Sequence, residues 1–277
     1  MTLSVNTNAG AMIALQNLNK TNMQLEESQS RINTGLEVAG AKDNGGIYAI
    51  AQRMRSQVSG YGAVTDSLNR AVSAVDVALA AGEAISDLII EMKEKALAAA
   101  DTSLDTASRT ALNADFTALR DQIKTIVANA EFNGTNLLNN STAQITALAN
   151  ADGSNTITVQ DENFALGAGS ALITIASNAS YATATQADNI ASQLGTSLDN
   201  VNAALARLGT QSKALGIHTT FVSKLTDALE TGIGNLVDAD LAKESARLQS
   251  LQVKQQLGIQ ALGIANQRPQ AILSFFQ

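Results

Sequence analysis

Apolar residues recur at intervals of seven along most of this chain. Near the N-terminus, Ala11, Leu18, Leu25 and Ile32 form one row, and Leu15, Asn22, Gln29 and Leu36 form a weaker second row. A longer pattern starts at Asp43, whose carboxylate suits an N-cap. One of its rows is Met54, Tyr61, Leu68, Val75, Gly82 and Ile89; the other is Ile50, Gln57, Val64, Ala71, Ala78, Ile85 and Met92. Such heptads predict coiled-coil-like helices, and a helix over 44–100 would be roughly 85 Å long at ~1.5 Å per residue. A third helix is expected after the break at Asp101-Thr102-Ser103. Thr102 and Asp105 read as its capping box, and Leu112, Phe116, Leu119, Ile123 and Ile126 as its apolar stripe.

The pattern then changes. Residues 132–185 are rich in Asn, Thr, Ser, Gly and Ala, with β-like runs at 156–159 and 172–175 and turn signals at Asn133-Gly134 and Asp152-Gly153. Helical order returns near Thr185, where Leu194, Val201, Leu208, Leu215, Val222, Leu229 and Leu236 keep the spacing without a miss. Gly232-Ile233-Gly234 reads as a softer joint. The last helix carries Leu251, Gly258, Ala265 and Ile272 in one row and Leu241, Leu248, Gln255 and Leu262 in the other, and Pro269 is expected to stop it. The fold class is therefore mainly α, a long antiparallel coiled-coil-like bundle with a small central β-hairpin or loop region. The two terminal helices have little margin as isolated elements. They are expected to order only when other copies bury their apolar rows.

Composition narrows the function. The 277 residues include no Cys, no Trp, one Pro and one His, and aromatics make up 3%. Small apolar residues on Pro-free stretches suit slender bundles. A net charge of −7 with no Lys/Arg cluster argues against nucleic acid. No run reaches the ~20 apolar residues of a membrane span, and the N-terminus does not read as a Sec-type signal. No phosphate-loop or dinucleotide motif occurs, and one His without Cys gives no zinc ligand set, so no cofactor is expected. His218 reads as a packed helical residue rather than a general base. The carboxylate pairs Glu26/Glu27 and Glu91/Glu94 read as solvated faces, and Asp238/Asp240 as favourable charge at a helix N-terminus. No constellation points to an enzyme.

Three segments carry a resemblance. The N-terminal stretch with Asn6-Thr7-Asn8, Ser30-Arg31-Ile32-Asn33-Thr34-Gly35, Ala41-Lys42-Asp43 and Ile50-Ala51 resembles the flagellin N-terminal region. Ala130–Leu138, reading AEFNGTNLL, resembles the turn that closes that region. The stretch from Asp238 to Phe276, with Ala265-Asn266-Gln267 and Pro269-Gln270, is similar to the flagellin C-terminal helix. Together they cover about four-fifths of the chain, at its two ends, in the family's order.

The resemblance implies a structural subunit that polymerises into the extracellular filament of the bacterial flagellum. Residues 1–40 and 237–277 correspond to the inner core, D0, and 41–236 to the surrounding D1 layer, with a short β or loop tip at about 132–185 and no large outer domains. Packing of the filament core falls to Ala11, Leu15, Leu18, Leu25, Ile32, Leu241, Leu248, Leu251, Leu262 and Ile272. The outer-layer seam falls to Met54, Tyr61, Leu68, Val75, Ile89, Leu194, Val201, Leu208 and Leu215. Implied partners are other copies of the chain, an export chaperone, the hook-filament junction proteins and the filament cap, with export of the unfolded chain through the flagellar type III apparatus. Many flagellins also carry an Arg-Glu-Leu-Ala-like segment that a Toll-like receptor recognises. Here Glu91 stands at its Arg, Lys95 at its Leu, and Gln122 where an acidic residue is usual on the next helix, which implies weak or no recognition. The alternatives are a hook-filament junction protein and a secreted coiled-coil binding or needle-tip protein.

Overall fold

The computed structural model describes residues 7–141, 144–167 and 171–273, with side chains to Gln267 in the last stretch. Its elements run α1 (Ala9–Thr34), α2 (Gly45–Ala99), α3 (Thr106–Asn129), β1 (Glu131–Phe132), β2 (Thr135–Asn136), β3 (Gln144–Leu148), β4 (Thr156–Gln160), α4 (Ala184–Val237) and α5 (Leu241–Leu273). The mainly α expectation holds, with two small antiparallel hairpins, β1–β2 and β3–β4. The chain forms two compact units, one of residues 1–56 with 228–277 and one of residues 57–227.

The second unit has a continuous apolar core. Val64, Leu68, Ala71, Val75, Ala78, Ile85, Ile89 and Met92 of α2 are buried with Leu194, Val201, Leu208 and Leu215 of α4. Both heptad rows of α2 thus turn inward through this stretch. Over it α2 and α4 run antiparallel, with Ser86 beside Asn202 and Gly82 beside Leu205. A Cβ at Gly82 would lie 2.6 Å from Leu205 Cδ2 and 3.0 Å from Phe164 Cε2, so the heptad position without a side chain is where the segment after β4 inserts its ring. Helix α3 adds Phe116, Ile123 and Val127, and Phe116 meets the Tyr181 ring at 5.2 Å. Burial, together with the charge of Asp115, pushes the Tyr181 phenol up to about 12.

Caps and turns account for the boundaries, and several differ from the sequence reading. Asn44, not Asp43, caps α2: its Oδ1 accepts from Gly46 and Ile47 N–H, while Asp43 Oδ2 accepts from Ala39 and Gly40 and folds the preceding loop. Asp105 itself, not Thr102, caps α3 by accepting from Ser108 N–H. The capping box lies instead at α4, where Thr183 Oγ1 accepts from Gln186 N–H and Gln186 Oε1 accepts from Thr183 N–H. Arg109, buried between helices, closes the C-terminus of α2. Its guanidinium donates to the carbonyls of Ala99, Asp101 and Leu104 at 2.9, 2.9 and 3.1 Å.

The segment after α3 is a plug. Asn133 and Gly134 take left-handed φ values in the two-residue turn of β1–β2. Buried Asn136 donates to the Val127 carbonyl and accepts from Leu138 N–H. The run at 156–159 is strand β4, paired with β3. The run at 172–175 is not a strand. Asn200 donates to the Leu172 carbonyl and Thr174 N–H donates to Ser197 Oγ, so side chains of α4 share that backbone with Asn163 and Gly167, whose main chains pair with Leu172 and Ile173, while Ile173 and Ile175 are buried. Helix α4 continues through Gly232-Ile233-Gly234 without a joint. Ile233 and Val237 pack there with Val38 and Ala51 in a second, smaller core.

Candidate functional site

The unit of residues 1–56 and 228–277 is organised around an antiparallel pair, α1 and α5. At one end the connecting segments zip together: Glu37 and Val38 N–H donate to the Val237 carbonyl, and Ala239 N–H donates to that of Gly35. Asp240 starts α5 by accepting from Ala242 and Lys243 N–H, the N-terminal role read from the Asp238/Asp240 pair. Gly35 ends α1 in the left-handed conformation.

Within the pair, Ala11, Leu18, Leu25 and Ile32 are half-buried, as are Leu248 and Leu262, and Leu251 is buried. These predicted rows lie between α1 and α5 of a single chain. The second row of α1 is not the predicted one. Ala14, Thr21 and Ser28 are covered, whereas Leu15 and Gln29 are exposed and Asn22 sits at the edge. A Cβ at Gly258 would lie 3.2 Å from Leu18 Cδ1, so glycine there sets how closely the two helices approach. Leu241 is exposed, and the side chain of Ile272 lies outside the described residues.

The seam is unusually polar. Three rungs cross it: Asn8 Nδ2 donates to the Ala265 carbonyl at 2.8 Å, Gln255 Nε2 to Asn22 Oδ1 at 2.8 Å, and Ser28 Oγ to Glu244 Oε2 at 2.7 Å. Arg31 adds an ion pair to Glu244 at 3.2 Å while holding Glu27 at 2.7 Å. The Ser28 hydroxyl holds the buried Glu244 carboxyl below its ordinary value against the opposing effect of burial, and Arg31 and Arg247 add to it. Polar rungs of this kind fix register better than they add stability.

The apolar side chains are largely on the outside. Met12, Ile13, Leu15 and Met23 of α1 and Leu241, Val253, Leu257, Ile259 and Ile264 of α5 are all exposed, Ile264 by 65%. Val253, Leu257 and Ile264 fall within about 40° of one another at 3.6 residues per turn, and Met12 and Met23 share a face in the same way. Heptad counting passes over this stripe: Met12 and Met23, like Val253 and Ile264, are eleven apart, and the single seven-residue step from Leu257 to Ile264 does not extend into a row. In α5 apolar residues and polar ones such as Lys254, Gln256 and Gln260 are both spread nearly all round the axis, so periodicity alone does not choose its covered face.

The other predicted positions divide between core and surface. Leu68, Val75, Ile89, Leu194, Val201, Leu208 and Leu215 are buried and Tyr61 packs against the same core, while Met54 is half-buried in the first unit. Glu91 and Gln122 are exposed, and Lys95 is half-buried with its carbonyl accepting from Tyr181 Oη. His218 holds the Ala149 carbonyl at 2.8 Å, so Nε2 carries the proton in that contact. Glu162 is buried in a bidentate pair with Arg207, at 2.6 and 2.7 Å. Among the described residues no helix is long and apolar enough to cross a membrane, and no cluster of His, Cys, Asp and Glu has metal-ligand geometry.

Comparison with known proteins follows the same outline. Residues 5–143 match the family model of the bacterial flagellin N-terminal helical region, and residues 191–276 that of the C-terminal helical region. Flagellin FljK of Caulobacter vibrioides is 55% identical over 274 residues, 99% of this chain and 98% of that one. Flagellin FljM of the same organism is 52% identical over the same span. A flagellin of Brucella melitensis biotype 1 is 36% identical over 284 residues, 99% of each chain.

Proposed function

Because the chain belongs to the bacterial flagellin family and is a structural subunit of the flagellar filament, we propose that residues 1–40 and 237–277 form the filament's inner core and 41–236 the layer around it. The observation that carries this division is the outward apolar stripe on α1 and α5. A two-helix pair with polar rungs inside and Met12, Ile13, Leu257 and Ile264 outside leaves most of its apolar surface in water. Neighbouring copies remove that surface from water, and the gain grows with the area covered. Assembly thus completes the ordering of the pair: the rows Ala11/Leu18/Leu25/Ile32 and Leu248/Leu251/Leu262 hold α1 to α5 within each copy, and the outward side chains meet the next.

The chain leaves the cell unfolded through the flagellar type III apparatus, escorted by an export chaperone, and meets the hook-filament junction proteins and the filament cap at the growing end. It performs no catalysis. Glu91 and Gln122, both exposed on adjacent helices, replace the charge pattern that the Toll-like receptor reads, and a reversed charge adds repulsion as well as removing attraction. Glu91→Arg should raise activation of a receptor-reporter cell line by the purified monomer. Potent activation by the unaltered chain would refute this part.

The test of the core assignment is electron microscopy of the seeded chain beside one lacking residues 1–40 and 237–277. Long filaments from the full chain alone support it; filaments from both place the assembly contacts elsewhere. Leu18→Glu and Leu251→Glu should abolish assembly while residues 57–227 keep their helical melting transition.

A further inference from the structure

Helix α5 contains a covalent defect that the sequence reading took for its end. A prolyl nitrogen carries no hydrogen, so residue 269 cannot donate to the carbonyl four residues earlier. That carbonyl belongs to Ala265. Yet α5 extends to Leu273, four residues past the proline. The Ala265 carbonyl is the group that receives Asn8 Nδ2, at 2.8 Å. The same side chain faces the other way as well: Asn8 Oδ1 accepts from Ala11 N–H at 3.1 Å and caps the first turn of α1, and the Asn8 carbonyl accepts from Met12 N–H.

We propose that Asn8 is a positioning residue that locks the two terminal helices in register, by supplying the hydrogen bond that Pro269 denies to Ala265. One amide satisfies a donor orphaned at the start of one helix and an acceptor orphaned inside the other. The chemistry suits a primary amide, which carries its acceptor and its donor on separate atoms and so reaches a partner on each helix. Serine and threonine are too short to hold both ends, and aspartate has no hydrogen to give. The consequence is directional: the last turns of α5 depend on the first residues of α1. Shifting α1 along α5 by a turn would leave the Ala265 carbonyl unpaired, and of the three polar rungs only this one answers a defect that the helix cannot repair by itself. It also gives one physical reason for two motifs at opposite ends of the sequence, Asn6-Thr7-Asn8 and the segment from Ala265 to Gln270.

The inference rests on the α1–α5 pair persisting in the filament core. The experiment uses the full chain and reads the lowest concentration that sustains seeded filaments. Asn8→Asp keeps the cap, since Asp serves as well as Asn there, but removes the donor and sets a carboxylate against the carbonyl. It should raise that concentration about fivefold, the range of one lost hydrogen bond. Pro269→Ala returns an N–H to α5, and in that background Asn8→Asp should change the concentration less than twofold. Hydrogen exchange of amides 266–268 and 270–273 in the filaments should follow the same order. An Asn8→Asp effect equal in both backgrounds, or absent from both, overturns the lock. Leu18→Glu serves as a separate control, because normal filaments from it would refute the core assignment whatever Asn8 does.

Discussion

Ile264→Ala isolates the outward stripe from the seam. Ile264 is 65% exposed, so truncating it leaves the α1–α5 contact and the core of residues 57–227 untouched. The change removes three carbons, worth together about 2.4 kcal/mol at ~0.8 kcal/mol per buried CH₂. Only the part still in water within one chain can be gained on assembly, which leaves about 1.6 kcal/mol per subunit, or roughly a 15-fold rise in the concentration needed for growth. The assay is sedimentation of seeded filaments over a concentration series, with circular dichroism confirming an unchanged thermal transition of the monomer. A critical concentration within twofold of the unaltered chain would refute the reasoning, because it would mean that this face stays wet in the polymer. Leu257→Ala should behave alike, whereas Ile90→Ala tests exposure alone, being 52% exposed on the other unit.

Further outcomes follow from the caps, the core and the buried acid. Arg109→Ala strips donors from three carbonyls at the α2 terminus and should lower the stability of the monomer by about 3 kcal/mol in urea unfolding, with Arg109→Lys recovering part of it. Gly82→Val should cost about 2 kcal/mol by the same measurement, because Leu205 can turn away but the buried Phe164 ring cannot. Glu244 is held below its ordinary value of 4.5, so its contribution is complete above that value and is lost as pH falls through the lowered one. Filaments should therefore loosen on acidification, measured by light scattering, and Glu244→Gln should flatten that part of the profile.

How far the sequence could be read depended on whether a residue's partner was apolar and repeated. In α2, Val64 to Met92 are buried on both heptad rows, so spacing alone located the helix to within one residue at either end. The same counting misplaced the second row of α1, because the covered positions there are Ala14, Thr21 and Ser28 and the apolar bulk sits outside. Single polar contacts left no periodic trace. Nothing in the spacing of Arg109 announces three carbonyls ten or fewer residues away, nor does Asn8 announce Ala265 at a separation of 257. The run at 172–175 has strand composition, but beyond a single bridge to Leu166 its backbone is held partly by the side chains of Asn200 and Ser197, which no local pattern reveals.

The two units divide these rules between them. Residues 57–227 bury their apolar heptads and pair the charges they bury, Arg109 with carbonyls and Glu162 with Arg207, as a chain must to be stable by itself. The α1–α5 pair mixes them, with Asn8, Asn22, Ser28, Arg31 and Glu244 among the leucines of its seam and further isoleucine, leucine and methionine on its surface. Apolar side chains are non-directional and would accept many alignments of two slender helices, whereas hydrogen bonds to Glu244 and Ala265 accept one. Directional contacts inside the pair therefore settle its alignment within one chain, and the core assignment we propose leaves the non-directional surface for other copies. If the proposed core assignment holds, truncating the exposed apolar side chains should weaken filament growth, and removing the polar rungs should cost the subunits their common register.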